Sequence, residues 1–191
     1  MRKNRVSLGL ILLLWPLVDT VLRKLRRIRP LRIDSDSIIG IELRRYNGTS
    51  IMLDDGSEVK AGDEILEIHL NSIWFRKRRS PDGIGASYIW KVIKHVGQDL
   101  CFLGEQIAEG AFEEVTALHG VTFLHLGARR LGFQVEELPD TLWKKFAQFY
   151  LTGLMQAYHL QADKVVDRPL ELKEIWLSKA ALLRRYSPHQ P

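Results

Sequence analysis

The 191 residues are 46% hydrophobic and 27% charged, a balance that excludes a disordered chain and suffices for one packed domain. The single cysteine, Cys101, excludes an internal disulfide and any cysteine cluster for zinc. The net charge of +5 is unevenly placed: residues 1–32 hold nine Lys or Arg against one acid, Asp19, which leaves the remainder at −3. That asymmetry points to an anionic surface met by the N-terminal arm and disfavours nucleic acid met by the body.

In chain order, residues 6–18 form a run of 13 that is almost wholly apolar. Asp19 and Thr20 follow, then the basic stretch from Val21 to Pro30. A spanning helix needs about 20 apolar residues. Three readings therefore stand for residues 1–30: an amphipathic helix in the lipid headgroup region, a short span, or a terminal helix docked on the core. Six basic residues follow the run and three precede it, so the first two readings leave the body in the cytoplasm. No small-residue cleavage site marks a removable signal.

Beyond Pro30, Ile38 to Tyr46 predicts a strand stopped by Asn47-Gly48. Ser50 to Leu53, the turn Asp54-Asp55-Gly56 and Glu58 to Lys60 continue a meander of short antiparallel strands. The basic run Arg76 to Arg79 reads first as a solvated surface before the Ser80–Gly83 loop. Ser87 to Glu109 shows apolar spacing of three and four and predicts the longest helix, with Cys101 as a small core residue. Val115 to His119 predicts a strand ended by Gly120. Thr122 opens or caps a helix to Leu131, closed by Gly132. Phe133 to Leu138 is a strand. Thr141 to Tyr158 is a helix with Asp140 as N-cap and Leu142, Trp143, Phe146, Phe149, Tyr150 and Leu154 as its apolar face. After a loop around residues 161–167, Leu170 to Leu177 is the last strand, and Ser178 caps a helix from Lys179 to Tyr186. The fold class is α+β: a single domain over residues 31–191, with a mixed, largely antiparallel sheet packed by three to four helices. An N-terminal apolar and basic helix precedes it.

The most concentrated chemistry lies in Gly62 to Asn71, read as a turn and then a strand. Alternation puts Leu66, Ile68 and Leu70 on one face and Ile65, Glu67, His69 and Asn71 on the other. Glu67 beside His69 suits general acid–base work, since a carboxylate raises and orients an imidazole. The same pair also fits a cross-strand partner row or a solvated sheet face. Asp63 reads as a turn residue. Thr122, His125 and Arg129 fall on one helical stripe behind Gly120, where free amides favour an anion, and His119 lies near the same helix start. The rival reading is a capped surface helix. Asn71, His119, Thr122, His125, Arg129 and Arg130 are thus candidate ligand-binding residues. Glu174 with Trp176 matches either a sugar-lined face or an ordinary sheet. No cofactor motif, Rossmann fingerprint or zinc spacing is present, and a metal would have to assemble from His69, Glu67 and His119 in three dimensions.

Seven pieces in order carry a resemblance: Trp15-x-x-x-Asp19; Ile41-x-x-x-Arg45-Tyr46-x-Gly48; Asp55-Gly56; Gly62-Asp63-x-Ile65-x-Glu67-x-His69-Leu70-Asn71; Gly120-x-Thr122-Phe123-Leu124; Gly127-Ala128-x-Arg130-Leu131-Gly132-Phe133; and Lys173-Glu174-Ile175-Trp176-x-Ser178 through Tyr186. Together they resemble the YkoP-like domain from about Leu14 to Tyr186. That resemblance implies a bacterial protein with an envelope connection, because the family occurs alone and also joined to polysaccharide deacetylase domains. It supplies no catalytic residue, and no deacetylase segment is seen here. With the charge asymmetry, the expectation is an accessory or binding module. It would lie on the cytoplasmic membrane face through residues 1–30 and serve envelope polysaccharide or lipid-linked metabolism. The alternative is a small enzyme on a phosphorylated or glycan-type substrate, with Glu67 and His69 as the acid–base pair and Arg129 or Arg130 holding an anion.

Overall fold

The structure, a computed structural model, describes residues 17–32, 37–78, 86–140, 142–157 and 171–187. The apolar run before Leu17, the Ser80–Gly83 loop, Thr141, the loop at 161–167 and Leu170 lie outside them, as do the side chains of Arg76, Leu142, Trp143 and Leu154. The chain opens with helix α1 over residues 17–25. Strands β1 (Arg29–Pro30), β2 (Ile39–Arg45), β3 (Ile51–Met52), β4 (Glu58–Val59) and β5 (Glu64–Leu70) follow. Helices α2 (Ser72–Lys77) and α3 (Ala86–Ala108) lead to β6 (Val115–Thr122), α4 (His125–Arg130) and β7 (Gln134–Glu137). Helix α5 (Leu142–Ala157), β8 (Lys173–Ser178) and α6 (Lys179–Tyr186) complete the chain.

A six-stranded sheet in the order β1-β2-β5-β6-β8-β7 forms the centre. Every pairing is antiparallel except β5 with β6. A parallel pair needs a long crossover, and α2 with α3 supplies it. The fold is α+β, as the strand and helix order predicts. Strands β3 and β4 do not extend the meander. They form a separate two-stranded ribbon, and β2 pairs directly with β5 from Ile39↔Leu70 to Arg45↔Glu64. Gly56 at φ +84° and Gly62 at φ +99° make the turns on either side of β4. Lys60 N–H donates to the Asp63 carboxylate at 2.8 Å, fixing the turn into β5.

The alternation along β5 is realised. Leu66, Ile68 and Leu70 join the main core with Ile39, Val92, Leu103, Leu118 and Leu182. Ile65 points the other way and packs with Leu53, Val59, Ala117 and Trp176 under the ribbon. The second face is therefore roofed rather than solvated. Trp176 is buried there, edge-on to Tyr46 with ring centres 5.4 Å apart, so it cannot line a sugar-binding surface.

Four further expectations are corrected. Gly120 does not end its strand, because β6 continues to Thr122. A side chain at Gly120 would stand 3.0 Å from Ile68 Cγ1 and 3.1 Å from the Ile68 carbonyl oxygen, so only glycine lets β6 lie this close to β5. Thr122 is not the cap of α4, which starts at His125 without a side-chain cap. Cys101 is exposed, not core. On α5, Ala147 is the buried residue, with Leu151 packed beside it, whereas Phe146 and Phe149 are exposed. The Ser178 cap is as expected: its hydroxyl accepts the Ala181 N–H at 2.8 Å. The short helix α2 has its own cap, Asn71, whose amide oxygen accepts the Ile73 N–H at 3.1 Å.

Candidate functional site

The β5 row that drew attention in the sequence is an ion-pair cluster. Register places Glu42, Glu67, His119 and Trp176 side by side across β2, β5, β6 and β8. Two like charges, Glu42 and Glu67, would repel in a cross-strand pair. Arg26, in the turn after α1, resolves this by reaching Glu67 at 2.8 Å and Glu42 at 3.0 Å. Arg44 adds a second ion pair to Glu67. His69 Nε2 lies 3.3 Å from Glu42 and 3.9 Å from Glu67.

Glu67 is only 5% exposed. Burial alone would raise its pKa, but the Arg26 and His69 charges and the arginine hydrogen bonds outweigh it and hold the carboxyl at about 2. A carboxylate so stabilised is a poor proton acceptor at neutral pH. His119 stacks on Trp176 with ring centres 4.2 Å apart, and its Nε2 has no hydrogen-bond partner among the described residues. Burial pushes its pKa down to about 4, partly offset by Glu67. It stands neutral at pH 7.

Glu42, Glu67 and His69 bring three possible ligand atoms within 4.8 Å of one another, and His119 is not among them. Two guanidinium groups already lie against these carboxylates. A cation there would meet two fixed positive charges, so the set as arranged does not fit a metal.

Asn71 is fully engaged. Its amide nitrogen donates to the Ser37 carbonyl at 2.9 Å, and its oxygen accepts from Ile73 and from Arg23 of α1 at 2.9 Å. Arg23 also reaches the Ser72 hydroxyl at 3.3 Å, and that hydroxyl donates to Asp19. Asp19 is buried and also accepts from the Tyr150 hydroxyl on α5. Helix α1 is thus docked through its polar residues.

The remaining sequence candidates lie elsewhere. Thr122 accepts the Leu124 N–H at 2.9 Å and ends β6, so it shares no helical stripe with His125 and Arg129. His125, Arg129 and Arg130 belong to α4. Arg129 and Arg130 are exposed, and Arg130 lies over the Trp90 ring at 4.7 Å. No hydrogen bond or ion pair among the described residues joins these three to Glu67 or His69.

Sequence reasoning missed a cavity of about 210 Å³ between α1, α3 and α5. It sits beyond the carboxyl ends of β5 and β6, which the parallel pairing brings to one edge. Its walls are mostly apolar, among them Leu22, Ile68, Val92, Phe123 and Leu151, while His69, Arg23 and Arg26 reach its rim. A smaller, wholly adjoining space of about 60 Å³ shares Ile68, His69 and Val92 and is lined almost entirely by carbon. The signal was present in Arg23 and Arg26, three apart at the end of α1 and in the turn after it, but the sequence does not show which side of α1 faces the body.

The fold and this cavity define a small α+β domain with an ion-pair cluster on its sheet and an apolar recess beside a cationic helix. A YkoP domain profile matches residues 9–186, and the chain belongs to that family. It is similar to the uncharacterized protein YkoP of Bacillus subtilis (strain 168), at 28% identity over 181 residues, which is 91% of this chain and 94% of that protein. No solved structure matches it.

Proposed function

We propose that this protein is a binding module held on an anionic membrane surface, on the cytoplasmic side, through its N-terminal arm. One observation carries the reading: α1 is inside out. Asp19, Arg23 and Arg26 face the body and are hydrogen-bonded to it. Leu17, Val18, Val21 and Leu25 form the opposite stripe and are 62%, 40%, 47% and 73% exposed. A helix that only docked on its own core would bury the apolar stripe and expose the charges. Lys24 of α1, Arg27 in the turn after it and Arg29 of β1 are exposed as well, the cationic charge that attachment at headgroup level requires. Among the described residues no helix is long and apolar enough to cross a membrane. The lipid-linked or envelope-polysaccharide setting is retained from the family resemblance.

The acid–base alternative is less well supported. His69 does line the cavity, but Glu67 is clamped by two arginines and lacks basicity.

Sedimentation with vesicles tests the proposal. The full chain is expected to pellet with vesicles rich in anionic lipid and to stay in solution with zwitterionic ones. Leu25→Asp should weaken pelleting at least tenfold, because burying one leucine contributes about 1.5–3 kcal/mol. A full chain that stays in the supernatant with both vesicle types at physiological salt refutes it.

A further inference from the structure

Helix α1 lies in a cradle between two other helices. Asp19 accepts from the Ser72 hydroxyl of α2 and from the Tyr150 hydroxyl of α5, the latter at 2.5 Å. The two flanks of α1 differ. On the α2 flank, Ile73 lines an open basin with Arg23, Lys24 and Arg27. On the α5 flank, Leu22 and Phe146 line the apolar recess together. Leu22 is half-buried and Phe146 is exposed, which places both at the rim of that recess. Leu22 also stands four residues after Val18 and three before Leu25, so it borders the exposed stripe of α1. The stripe therefore runs towards α5, not towards α2.

Helix α5 carries its own outward apolar groups. It buries Ala147, with Leu151 packed beside it. The face turned away from these two is where a water-facing helix carries its charges. Here it holds Phe146 and Phe149, 47% and 64% exposed, with Lys145 exposed one turn before Phe149. Phe146 stacks on the Tyr150 ring with centres 6.3 Å apart, and Asp19 holds the Tyr150 hydroxyl. That chain of contacts sets Phe146 beside α1. Charge is the second common feature. Helix α5 contains no Asp or Glu, and the one acid of α1, Asp19, is buried. Neither helix turns an acidic group outward.

We infer that Phe146 and Phe149 of α5 join the α1 stripe in one two-helix surface that inserts into an anionic bilayer. The inference rests on the membrane-surface reading and adds α5 to it as a second attachment point. Exposed apolar groups alone would suit a protein partner as well. The absence of outward acids, together with Lys24 on α1 and Lys145 on α5, matches anionic headgroups instead. Aromatic rings beside lysines are also the side chains that sit best at the boundary between headgroups and acyl chains. Two helices hold the body in one orientation, with the rim at Leu22 and Phe146 against the lipid.

The experiment puts a polarity-sensitive dye on a single cysteine of the full chain. The exposed Cys101 is first removed as Cys101→Ser. The dye sites are Phe149→Cys on α5, Val21→Cys on α1 and, as control, Met52→Cys on the β3–β4 ribbon, which is 59% exposed. Each labelled chain is mixed with vesicles of equal parts phosphatidylglycerol and phosphatidylcholine, with and without a quencher on the acyl chains. The expected result is a blue shift and quenching at positions 149 and 21, and neither at position 52. A response at 21 with none at 149 overturns the inference and leaves attachment through α1 standing. No response at either site overturns both readings. A response at 52 as well shows adsorption without orientation and overturns the two-helix surface. A shift at 149 that grows with protein concentration in the absence of vesicles assigns the face to a second copy of the chain and also overturns it. Phe149→Ser should weaken vesicle pelleting about tenfold, the size of one buried aromatic side chain, and melt with the parent. Pelleting equal to the parent's would overturn the inference.

Discussion

Arg26 Nη2 donates to Glu67 Oε1 at 2.8 Å across 41 residues of sequence, and the same guanidinium reaches Glu42 at 3.0 Å. One arginine thus ties the N-terminal helix to the sheet's two inner carboxylates. Glu67 has a folded pKa of about 2 against an ordinary 4.5. Its contribution to stability is complete above pH 4.5 and is lost as pH falls towards 2. The shift corresponds to about 3 kcal/mol. Glu67→Gln should therefore lower the unfolding free energy at pH 7 by about 3 kcal/mol in urea denaturation. The gap between variant and parent should close between pH 4.5 and pH 2.5. A constant gap over that range would show that packing, not charge, is lost.

His119 gives a second, separate window. Its folded pKa is about 4 against 6.5 in the unfolded chain. As pH falls below 6.5 the unfolded chain takes up the proton first, so stability drops until pH 4. The drop is about 3 kcal/mol. His119→Phe keeps a ring over Trp176 and removes the proton site. Urea denaturation at pH 7, 5.5 and 4.5 should show a falling midpoint for the parent and a much flatter one for His119→Phe. Equal slopes for the two proteins would place the titrating group elsewhere.

What was legible in the sequence and what was not divides along range of interaction. The β5 alternation and the Ser178 cap are local, and each is found where its pattern predicts. The partners of Glu67 are not local: Arg26 and Arg44 come from 41 and 23 residues away, so the row that the sequence leaves open between acid–base work and cross-strand pairing is a neutralised cluster. Gly120 reads as a strand stop because glycine usually is one, yet here it is demanded by the approach of β6 to Ile68. Asp99 sits in an otherwise apolar helical period, which does not show its role. It is wholly buried, pairs with Arg32, and accepts the Ser37 hydroxyl and the Ile39 N–H, anchoring the start of β2 to α3. The inward turn of the α1 charges depends on hydrogen-bond partners in β5, α2 and α5, none of which its own periodicity reveals.

Asn71 joins three elements, so its removal should be felt in each. Asn71→Ala deletes the α2 cap, the bond to the Ser37 carbonyl and the anchor of Arg23. A lost cap costs about 1 kcal/mol, and stranding the buried Ser37 carbonyl adds about 1–3 kcal/mol. Thermal unfolding should register a loss of about 2–4 kcal/mol in total. Asn71→Asp should retain the cap and lose only the donation to Ser37, falling between the two. An alanine variant within 0.5 kcal/mol of the parent, inside the usual range of surface changes, would contradict the contacts described.

Gly120→Ala probes the closeness of the parallel pair. The added methyl meets a backbone oxygen at 3.1 Å as well as the Ile68 side chain, so relief requires movement of β5 itself. Overpacking of this kind costs about 1–3 kcal/mol. Gly56→Ala, at the exposed ribbon turn with φ +84° and no atom near the added methyl, should destabilise through backbone strain alone. Chemical denaturation of the two variants is expected to show a larger loss for Gly120→Ala, and equal losses would show that β5 yields to the methyl without cost.

The last prediction concerns salt. If the stripe Leu17, Val18, Val21 and Leu25 alone held the protein on a bilayer, binding would be indifferent to ionic strength. The flanking Lys24, Arg27 and Arg29 are exposed, and each basic residue near an anionic leaflet contributes about 1 kcal/mol. Replacing all three by glutamine should weaken vesicle binding about 100-fold, since 1.4 kcal/mol is a factor of ten. Raising salt from 0.1 M to 1 M shortens the screening length from about 10 Å to about 3 Å and should remove most of the parent's advantage over the triple variant. Arg26, locked onto Glu42 and Glu67, is not part of this set. Arg26→Gln should leave the salt dependence of binding intact while lowering folding stability. A triple variant that binds as the parent does at 0.1 M salt would remove electrostatics from the attachment and leave the apolar stripe to account for it alone.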